Sequence, residues 1–118
     1  MLFRFREFPV YKVARIFRSL VYKTSADFPK DERFALTDQI RRAANSILLN
    51  VAEGSNRHSD KDFARFLTMA LGSLEEVVAC LDIALDEKYL STSKHANLLS
   101  EAEQIAKQIV GFRHSMKS

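Results

Sequence analysis

The sequence has little of what a turn-rich or disulfide-bonded protein needs. Glycine occurs three times and proline twice in 118 residues, and tryptophan is absent. Many short strands would require more turn residues, so this composition argues against a β-rich fold and favours long helices. The single cysteine, Cys80, cannot form an intramolecular disulfide and lies in the apolar stretch VVACLDIAL. We expect its thiol to be buried and reduced.

Long hydrophobic runs are also missing. No stretch approaches the ~20 apolar residues that span a bilayer. The opening MLFRFREFPV alternates apolar and charged residues, unlike a signal peptide. We therefore expect a cytoplasmic protein without membrane contact. With 118 residues, of which 47% are hydrophobic, residues 1–118 are expected to form one domain around one core.

Four segments repeat apolar residues at spacings of three and four, the pattern of helices with one buried face. They predict helices at about residues 9–26, 31–53, 60–87 and 92–115. Pro9 suits the first turn of the first helix, Gly54 the end of the second and Ser59 the N-cap of the third. Short loops favour antiparallel neighbours, so the predicted fold is all-α, an antiparallel up-down-up-down four-helix bundle.

Two details of packing follow from the same pattern. The apolar stripe of the first helix is predicted to be its core side; it comprises Val10, Val13, Ile16, Phe17, Leu20 and Val21. Gly72 lies in the middle of the third helix, where glycine costs about 1 kcal/mol relative to alanine. A close contact with a neighbouring helix is therefore expected at Gly72.

Residues that would support catalysis or a cofactor are scarce. The three glycines are too far apart for a phosphate-binding loop, and no Cys/His pair has zinc-ligand spacing. Glu-x-x-His pairs, which di-iron bundles use, do not occur. His58, Asp60 and Asp62 form a loose cluster that a loop and a helix cap explain better than a metal does. We expect no enzyme activity, no catalytic residue, no cofactor and no metal.

Polar residues follow one edge of the second helix, three or four positions apart, and are therefore neighbours on its surface. They are Gln39, Arg42, Ser46, Asn50 and Glu53. Ser73 and Glu76 lie on a comparable edge of the third helix. We predict a structural polar seam between the two helices, in which Arg42 meets Glu76 or Glu53 and Ser46 and Asn50 form hydrogen bonds. The alternative is a ligand site at the same residues.

Positive charge is concentrated in the first part of the chain. Residues 1–66 contain 13 Lys/Arg against 8 Asp/Glu, whereas the remainder contains 5 against 7. Such an asymmetry is typical of a surface that meets an acidic partner, of which nucleic acid is the obvious one. The candidate phosphate contacts are Arg4, Arg6, Lys12, Arg15, Arg18 and Lys23, with Arg57 and Lys61 from the second loop. The alternative is that these charges only solvate the outer faces.

Two stretches carry a family resemblance: FPKDERFALTDQIRRAANSILLNVAEGSNR and, after it, SDKDFARFLTMALGSLEEV. They closely resemble the four-helix-bundle proteins first noticed as open reading frames in intervening sequences of bacterial 23S ribosomal RNA genes, and the similarity extends over about residues 8–115. The shared positions are Phe28, Pro29, Glu32, Gln39, Arg42, Ser46, Asn50, Glu53, Gly54, Arg57, Ser59, Phe63, Phe66, Leu67, Gly72, Ser73 and Glu76.

This resemblance implies an antiparallel four-helix bundle and a ring-shaped homopentamer, the assembly of characterised relatives. A related branch, the accessory variability proteins of diversity-generating retroelements, binds nucleic acid and partners a reverse transcriptase. We therefore expect a non-enzymatic homo-oligomer that binds RNA or DNA. The alternative is a structural scaffold that binds a protein partner and no nucleic acid.

Overall fold

The computed structural model describes residues 2–116, which fold into four α-helices with no strand among them. The helices are α1 (Pro9–Ser25), α2 (Leu36–Gly54), α3 (Asp60–Asp86) and α4 (Thr92–His114). Helix α1 contacts α2 and α4, and α3 contacts the same two helices. Within the described residues, no Cα atoms of the diagonal pairs α1–α3 and α2–α4 lie within 8 Å of each other. The antiparallel up-down-up-down four-helix bundle predicted from the sequence is confirmed.

The ends of three helices agree with the sequence pattern to within one residue. Ser59 caps α3 by accepting a hydrogen bond from the backbone N–H of Asp62 at 3.1 Å, and Ser91 caps α4 through the N–H of Lys94 at 3.1 Å. Each cap satisfies a backbone donor that has no partner inside its helix. None of the four helices, over the residues described, is long and apolar enough to cross a membrane.

Helix α2 begins later than expected. The sequence places its start near residue 31, but Lys30–Glu32 form a separate 3₁₀ turn, and α2 begins at Leu36. One carboxylate oxygen of Glu32 accepts a hydrogen bond from the N–H of Leu36 at 3.4 Å, and the other accepts one from the Tyr89 hydroxyl at 2.9 Å. Glu32 therefore connects the α1–α2 loop to the α3–α4 loop. The hydrogen bond from the Tyr89 hydroxyl to Glu32 is the main reason that the pKa of Tyr89 is raised.

The core side of α1 is rotated from the one that its apolar residues predict. Ile16 is 64% exposed and Leu20 is also exposed, whereas Phe17 and Val21 are fully buried. Ile16 and Leu20 each precede a core residue by one position, so they point about 100° away from it. The predicted core stripe of α1 is therefore wrong at these two positions. In α2, by contrast, the apolar residues that recur three or four positions apart are all buried: Leu36, Ile40, Ala43, Ala44, Ile47 and Val51.

Gly54 ends α2, as predicted, but not by adopting a left-handed conformation, since its φ is not positive. Its role is to leave space. A Cβ atom at Gly54 would lie 2.6 Å from Cβ of Phe66 and 2.9 Å from Cδ1 of Phe63, closer than van der Waals contact allows. Gly72 is the opposite case, because a Cβ there would meet nothing within 4 Å. The prediction of a close contact at Gly72 is therefore wrong for the described residues. The close contact lies at Gly54, where the sequence pattern does not indicate one.

The contact at Gly54 generates a stability prediction. We expect Gly54→Ala to lose about 1–3 kcal/mol of unfolding free energy in urea melts, because overpacking forces α2 and the α3 aromatic rings apart. Gly111→Ala is the matched control: Gly111 is an exposed helical glycine with nothing within 4 Å. It should gain up to about 1 kcal/mol from its higher helix propensity. A Gly54→Ala protein as stable as the wild type would contradict the close contact.

Candidate functional site

The charges of the bundle are divided between two diagonally opposite helices. Helix α1 carries Lys12, Arg15, Arg18 and Lys23 and no acidic residue. Helix α3 carries six acidic and two basic residues within Asp60–Asp86. Since α1 and α3 are diagonally opposite in the described structure, one side of the bundle is basic and the opposite side is acidic. A polyanion would be attracted to the α1 side and repelled by the α3 side.

Some of the predicted phosphate contacts already have partners within the chain. Lys12 forms an exposed ion pair with Glu7 at 3.3 Å. Arg57 pairs with Glu53 at 2.8 Å and with Asp62 at 3.9 Å. Arg4 donates a hydrogen bond to the backbone carbonyl of Ser55 at 2.9 Å and thus attaches the N-terminal segment to the end of α2.

The other predicted contacts are not neutralised. Arg6, Arg15, Arg18 and Lys23 form no ion pair with any carboxylate among residues 2–116. Lys61 is exposed and likewise unpaired there, but it lies on the acidic helix α3. Of the predicted contacts, those without a carboxylate partner in the described structure are therefore Lys61 and the four on α1 and the segment before it.

A cluster around Tyr22 joins α1 to α2. The guanidinium carbon of Arg18 lies 4.0 Å from the centroid of the Tyr22 ring, and that of Arg41 lies 4.6 Å from it. Arg18 Nε donates to Asn45 Oδ1 at 2.6 Å, and Asn45 Nδ2 donates to the Tyr22 hydroxyl at 3.0 Å. Arg41 Nε donates to Ser25 Oγ at 2.8 Å, and Arg41 Nη2 donates to the Tyr22 carbonyl at 3.1 Å. We call these five residues the Tyr22 cluster.

The sequence prediction included Arg18 but missed the other four residues of the Tyr22 cluster. The sequence does contain a signal for them, which is their spacing. Arg18, Tyr22 and Ser25 are four and three residues apart on α1, and Arg41 and Asn45 are four apart on α2. Such spacing places each set on one face of its helix. Only the arrangement of the helices brings the two faces together.

The central residues of the predicted polar seam between α2 and α3 form hydrogen bonds in the structure. Ser73 Oγ donates to Ser46 Oγ at 2.8 Å across the helices, and Asn50 Nδ2 donates to Ser46 Oγ at 3.1 Å. Gln39 and Glu76 lie farther along the same side, where they line a shallow pocket with Phe34. The predicted hydrogen bonds of Ser46 and Asn50 are therefore confirmed.

The predicted ion pair of Arg42 with Glu76 or Glu53 is wrong. The Arg42 side chain is 79% exposed and pairs with Asp38 at 3.6 Å, one turn away on the same helix. Glu53 lies eleven residues beyond Arg42, about 16 Å along the helix axis, and pairs with Arg57 instead. Arg42 therefore belongs to the surface and not to the centre of the seam.

Nothing in the described part of the chain resembles a metal site or a reactive thiol. No group of three His, Cys, Asp or Glu residues there could hold a metal ion. Cys80 is buried, as predicted, and burial together with the negative charge of Glu76 raises the pKa of its thiol. The reactive form of cysteine is the thiolate, so the thiol of Cys80 is a poor nucleophile near neutral pH.

The fold, the basic α1 side and the polar seam define a class: all-α four-helix bundles with one basic side and a polar seam between two helices. Residues 6–111 match the model of the family described as 23S rRNA-intervening sequence protein. The chain belongs to this family, as its sequence motifs predict. Neither the family description nor that of the solved structure below assigns an enzymatic activity.

One solved structure extends the comparison. It is a crystal structure of a protein with unknown function from the S23 ribosomal protein family of Bacteroides thetaiotaomicron. It superposes with a TM-score of 0.79 at 21% sequence identity, over 90% of this chain and 99% of that chain. At this identity the likeness establishes the fold alone. A comparison with curated proteins finds no significant match.

Arg41 and Arg42 are neighbours in the sequence but differ in their surroundings, which generates a paired prediction. Arg42→Ala should change the unfolding free energy by less than about 1 kcal/mol, because exposed ion pairs contribute little. Arg41→Ala should cost about 1–3 kcal/mol, because Ser25 and the Tyr22 carbonyl lose their donor. Urea denaturation monitored by circular dichroism measures both. Equal losses in the two variants would contradict the different roles of the two residues.

Proposed function

We propose that this chain is a non-enzymatic, cytoplasmic module that binds RNA or DNA through the phosphates of the nucleic-acid backbone. The observation that carries the proposal is the charge division: α1 has four basic residues and no acidic one, and lies diagonally opposite the acidic α3. A polyanion would therefore approach in one orientation. Contacts to phosphates carry no sequence information, so we expect little sequence preference.

The strongest candidates for these contacts are Arg6, Arg15, Arg18 and Lys23, since no carboxylate of residues 2–116 neutralises them. Lys12 and Arg57 would first have to leave their carboxylate partners, and Arg4 its carbonyl partner, so we expect smaller contributions from them. The family description mentions 23S rRNA but names no ligand. The support for nucleic-acid binding therefore comes from the charges of this chain.

Binding that depends on phosphates must weaken steeply with salt, because each neutralised phosphate releases condensed counterions. With four contacts, the logarithm of the binding constant for duplex DNA should fall with the logarithm of the salt concentration with a slope of about −3 to −4. Replacing Arg15 and Lys23 by Gln should reduce the magnitude of the slope by about one for each genuine contact. Fluorescence anisotropy with a labelled duplex measures this.

The matched control removes the same charge from the α2 and α3 surfaces. Arg42 and Arg65 are both exposed and both paired with a carboxylate, so Arg42→Gln with Arg65→Gln should leave the slope unchanged. Absence of binding by the wild type at low salt, where the attraction is strongest, would refute nucleic-acid binding. The protein-binding scaffold would then be the better proposal.

Self-association is a second candidate property, favoured by apolar side chains on two opposite sides of the bundle. On the outer faces of α2 and α3, Leu49 is 65% exposed and lines a pocket with Phe3 and Phe5, and Met69 is exposed one turn from Ser73. On the α4–α1 side, the exposed residues are Ile16 and Leu20. Two different patches on opposite sides suit a head-to-tail contact, which generates rings when the rotation closes. The ring of five implied by the family resemblance is consistent with such contacts.

We expect light scattering to give a mass five times that of the 13.5 kDa chain. Leu49→Asp together with Met69→Asp should lower it to that of the single chain, because charges in an apolar contact are costly to desolvate. Arg15→Gln is the control, because Arg15 lies on neither apolar patch, and it should leave the mass unchanged. A wild-type mass of 13.5 kDa would contradict self-association.

A further inference from the structure

We propose that the Tyr22 cluster is a phosphate-binding site, with Arg18 and Arg41 as its two ligating residues. This inference rests on the proposed nucleic-acid binding, for which it names the anchor point. The chemistry recognised is a phosphate group with its negatively charged oxygens. Such a group is supplied either by a nucleic-acid backbone or by a small phosphate compound, and the experiment below separates the two sources.

The first observation is uncompensated charge. Both guanidinium groups lie close to one ring, at 4.0 and 4.6 Å from the Tyr22 centroid. Neither forms an ion pair with a carboxylate of residues 2–116. The partners that hold them are a hydroxyl, an amide and a carbonyl, which are neutral. Each guanidinium group therefore keeps a positive charge that a bound anion would neutralise.

The chain contains an internal comparison where α2 ends and α3 begins. Arg57 and Arg65 also lie over one aromatic ring, that of Phe66, at 4.4 and 5.0 Å. There, however, carboxylates neutralise both cations: Asp62 lies 2.9 Å from Arg65 and 3.9 Å from Arg57, and Glu53 lies 2.8 Å from Arg57. The same arrangement thus occurs twice, once with its counter-charge and once without. The Tyr22 cluster is the one whose positive charge has no carboxylate partner among residues 2–116.

The second observation is the set of unused donors. A guanidinium group has five N–H donors in a planar fork that matches phosphate oxygens. Arg18 uses only Nε within the described structure, and Arg41 uses Nε and one Nη2 hydrogen. Both Nη groups of Arg18 and the Nη1 group of Arg41 therefore lack an acceptor among residues 2–116. These terminal groups are the ones that bind phosphate oxygens in pairs.

The third observation is that the donors are already held in place. The Ser25 hydroxyl accepts a hydrogen bond from Arg41. Ser25 is the last residue of α1 and is only 1% exposed. Asn45 bridges Arg18 and the Tyr22 hydroxyl, so the Arg18 side chain is fixed as well. Binding to side chains that are already ordered loses little conformational entropy. The unpaired Arg15 lies one turn before Arg18 on α1 and adds positive charge near the site.

The test uses the full chain and two probes, inorganic phosphate and single-stranded oligouridine. In two-dimensional ¹H–¹⁵N spectra, phosphate should shift the Nε–H signals of Arg18 and Arg41 and leave those of Arg57 and Arg65 unmoved. Arg18→Gln should weaken oligouridine binding at least about tenfold, the scale of a lost pair of charge-assisted hydrogen bonds. Arg65→Gln is the matched control and should bind like the wild type. Circular dichroism checks that each variant is folded.

The Arg18→Lys variant tests whether binding needs the paired N–H donors of arginine or only its positive charge. It keeps the positive charge but loses the paired donors, so its affinity for oligouridine should fall between those of the wild type and Arg18→Gln. Equal binding by the wild type and Arg18→Lys would overturn the paired contact.

The outcomes distinguish this site from the broader proposal. If oligouridine binds, Arg18→Gln binds it equally well and phosphate leaves Arg18 and Arg41 unmoved, the Tyr22 site is overturned while nucleic-acid binding stands. If phosphate shifts Arg18 and Arg41 but no nucleic acid binds, the site serves small phosphate compounds and the nucleic-acid proposal fails. If neither probe binds, both proposals fail.

Discussion

The contact between α2 and α3 at Gly54 determines where the rest of the bundle can lie. The missing side chain of Gly54 lets the end of α2 rest directly against Phe63 and Phe66, with no room for even a methyl group. This contact fixes the register of the two helices, and a consequence is visible about two turns away, where Ser46 and Ser73 meet at 2.8 Å. With α2 and α3 fixed, α1 packs against α2 and α4, and lies diagonal to α3.

The diagonal position of α1 gives the charge pattern its meaning. An all-basic helix beside an acidic one would be neutralised by its neighbour, whereas here the two lie on opposite sides of the core. The field outside the bundle is therefore that of a dipole with α1 at its positive end. Attraction of a nucleic acid to such a surface, and the orientation of its approach, need no base contacts and no enzyme-like site.

The two clusters of arginines on aromatic rings illustrate how neighbouring charges decide what a cluster does. Where α2 ends and α3 begins, Asp62 and Glu53 complete the cluster around Phe66, so it needs no external partner. Around Tyr22 the hydrogen-bond partners are neutral, so the two guanidinium groups keep their charge and most of their terminal donors. The cluster around Phe66 is thus neutralised within the chain, whereas the cluster around Tyr22 keeps charge and donors that an anion would use.

Periodicity in the sequence predicts much of this fold because helix formation and burial are governed by local spacing. The apolar stripe of α2, the serine caps of α3 and α4 and the hydrogen bond between Asn50 and Ser46 follow from residues three or four apart. The late start of α2 does not, since Glu32 is bound by Tyr89, 57 residues away in the sequence. The different fates of Arg41 and Arg42 also depend on which side of α2 faces α1. For the same reason the periodicity of α1 places Ile16 and Leu20 in the core, although the rotation of α1 exposes them.

The central claim is that nucleic acid meets this bundle on α1 and on the adjoining edge of α2, around Tyr22. Photo-crosslinking to an RNA that contains 4-thiouridine, followed by mass spectrometry of the peptides, tests it most directly. The crosslinks are predicted to lie in α1 and near Arg41 and Asn45 of α2, with Tyr22 as a principal site. Crosslinks confined to α3, or spread evenly over all four helices, would contradict the claim.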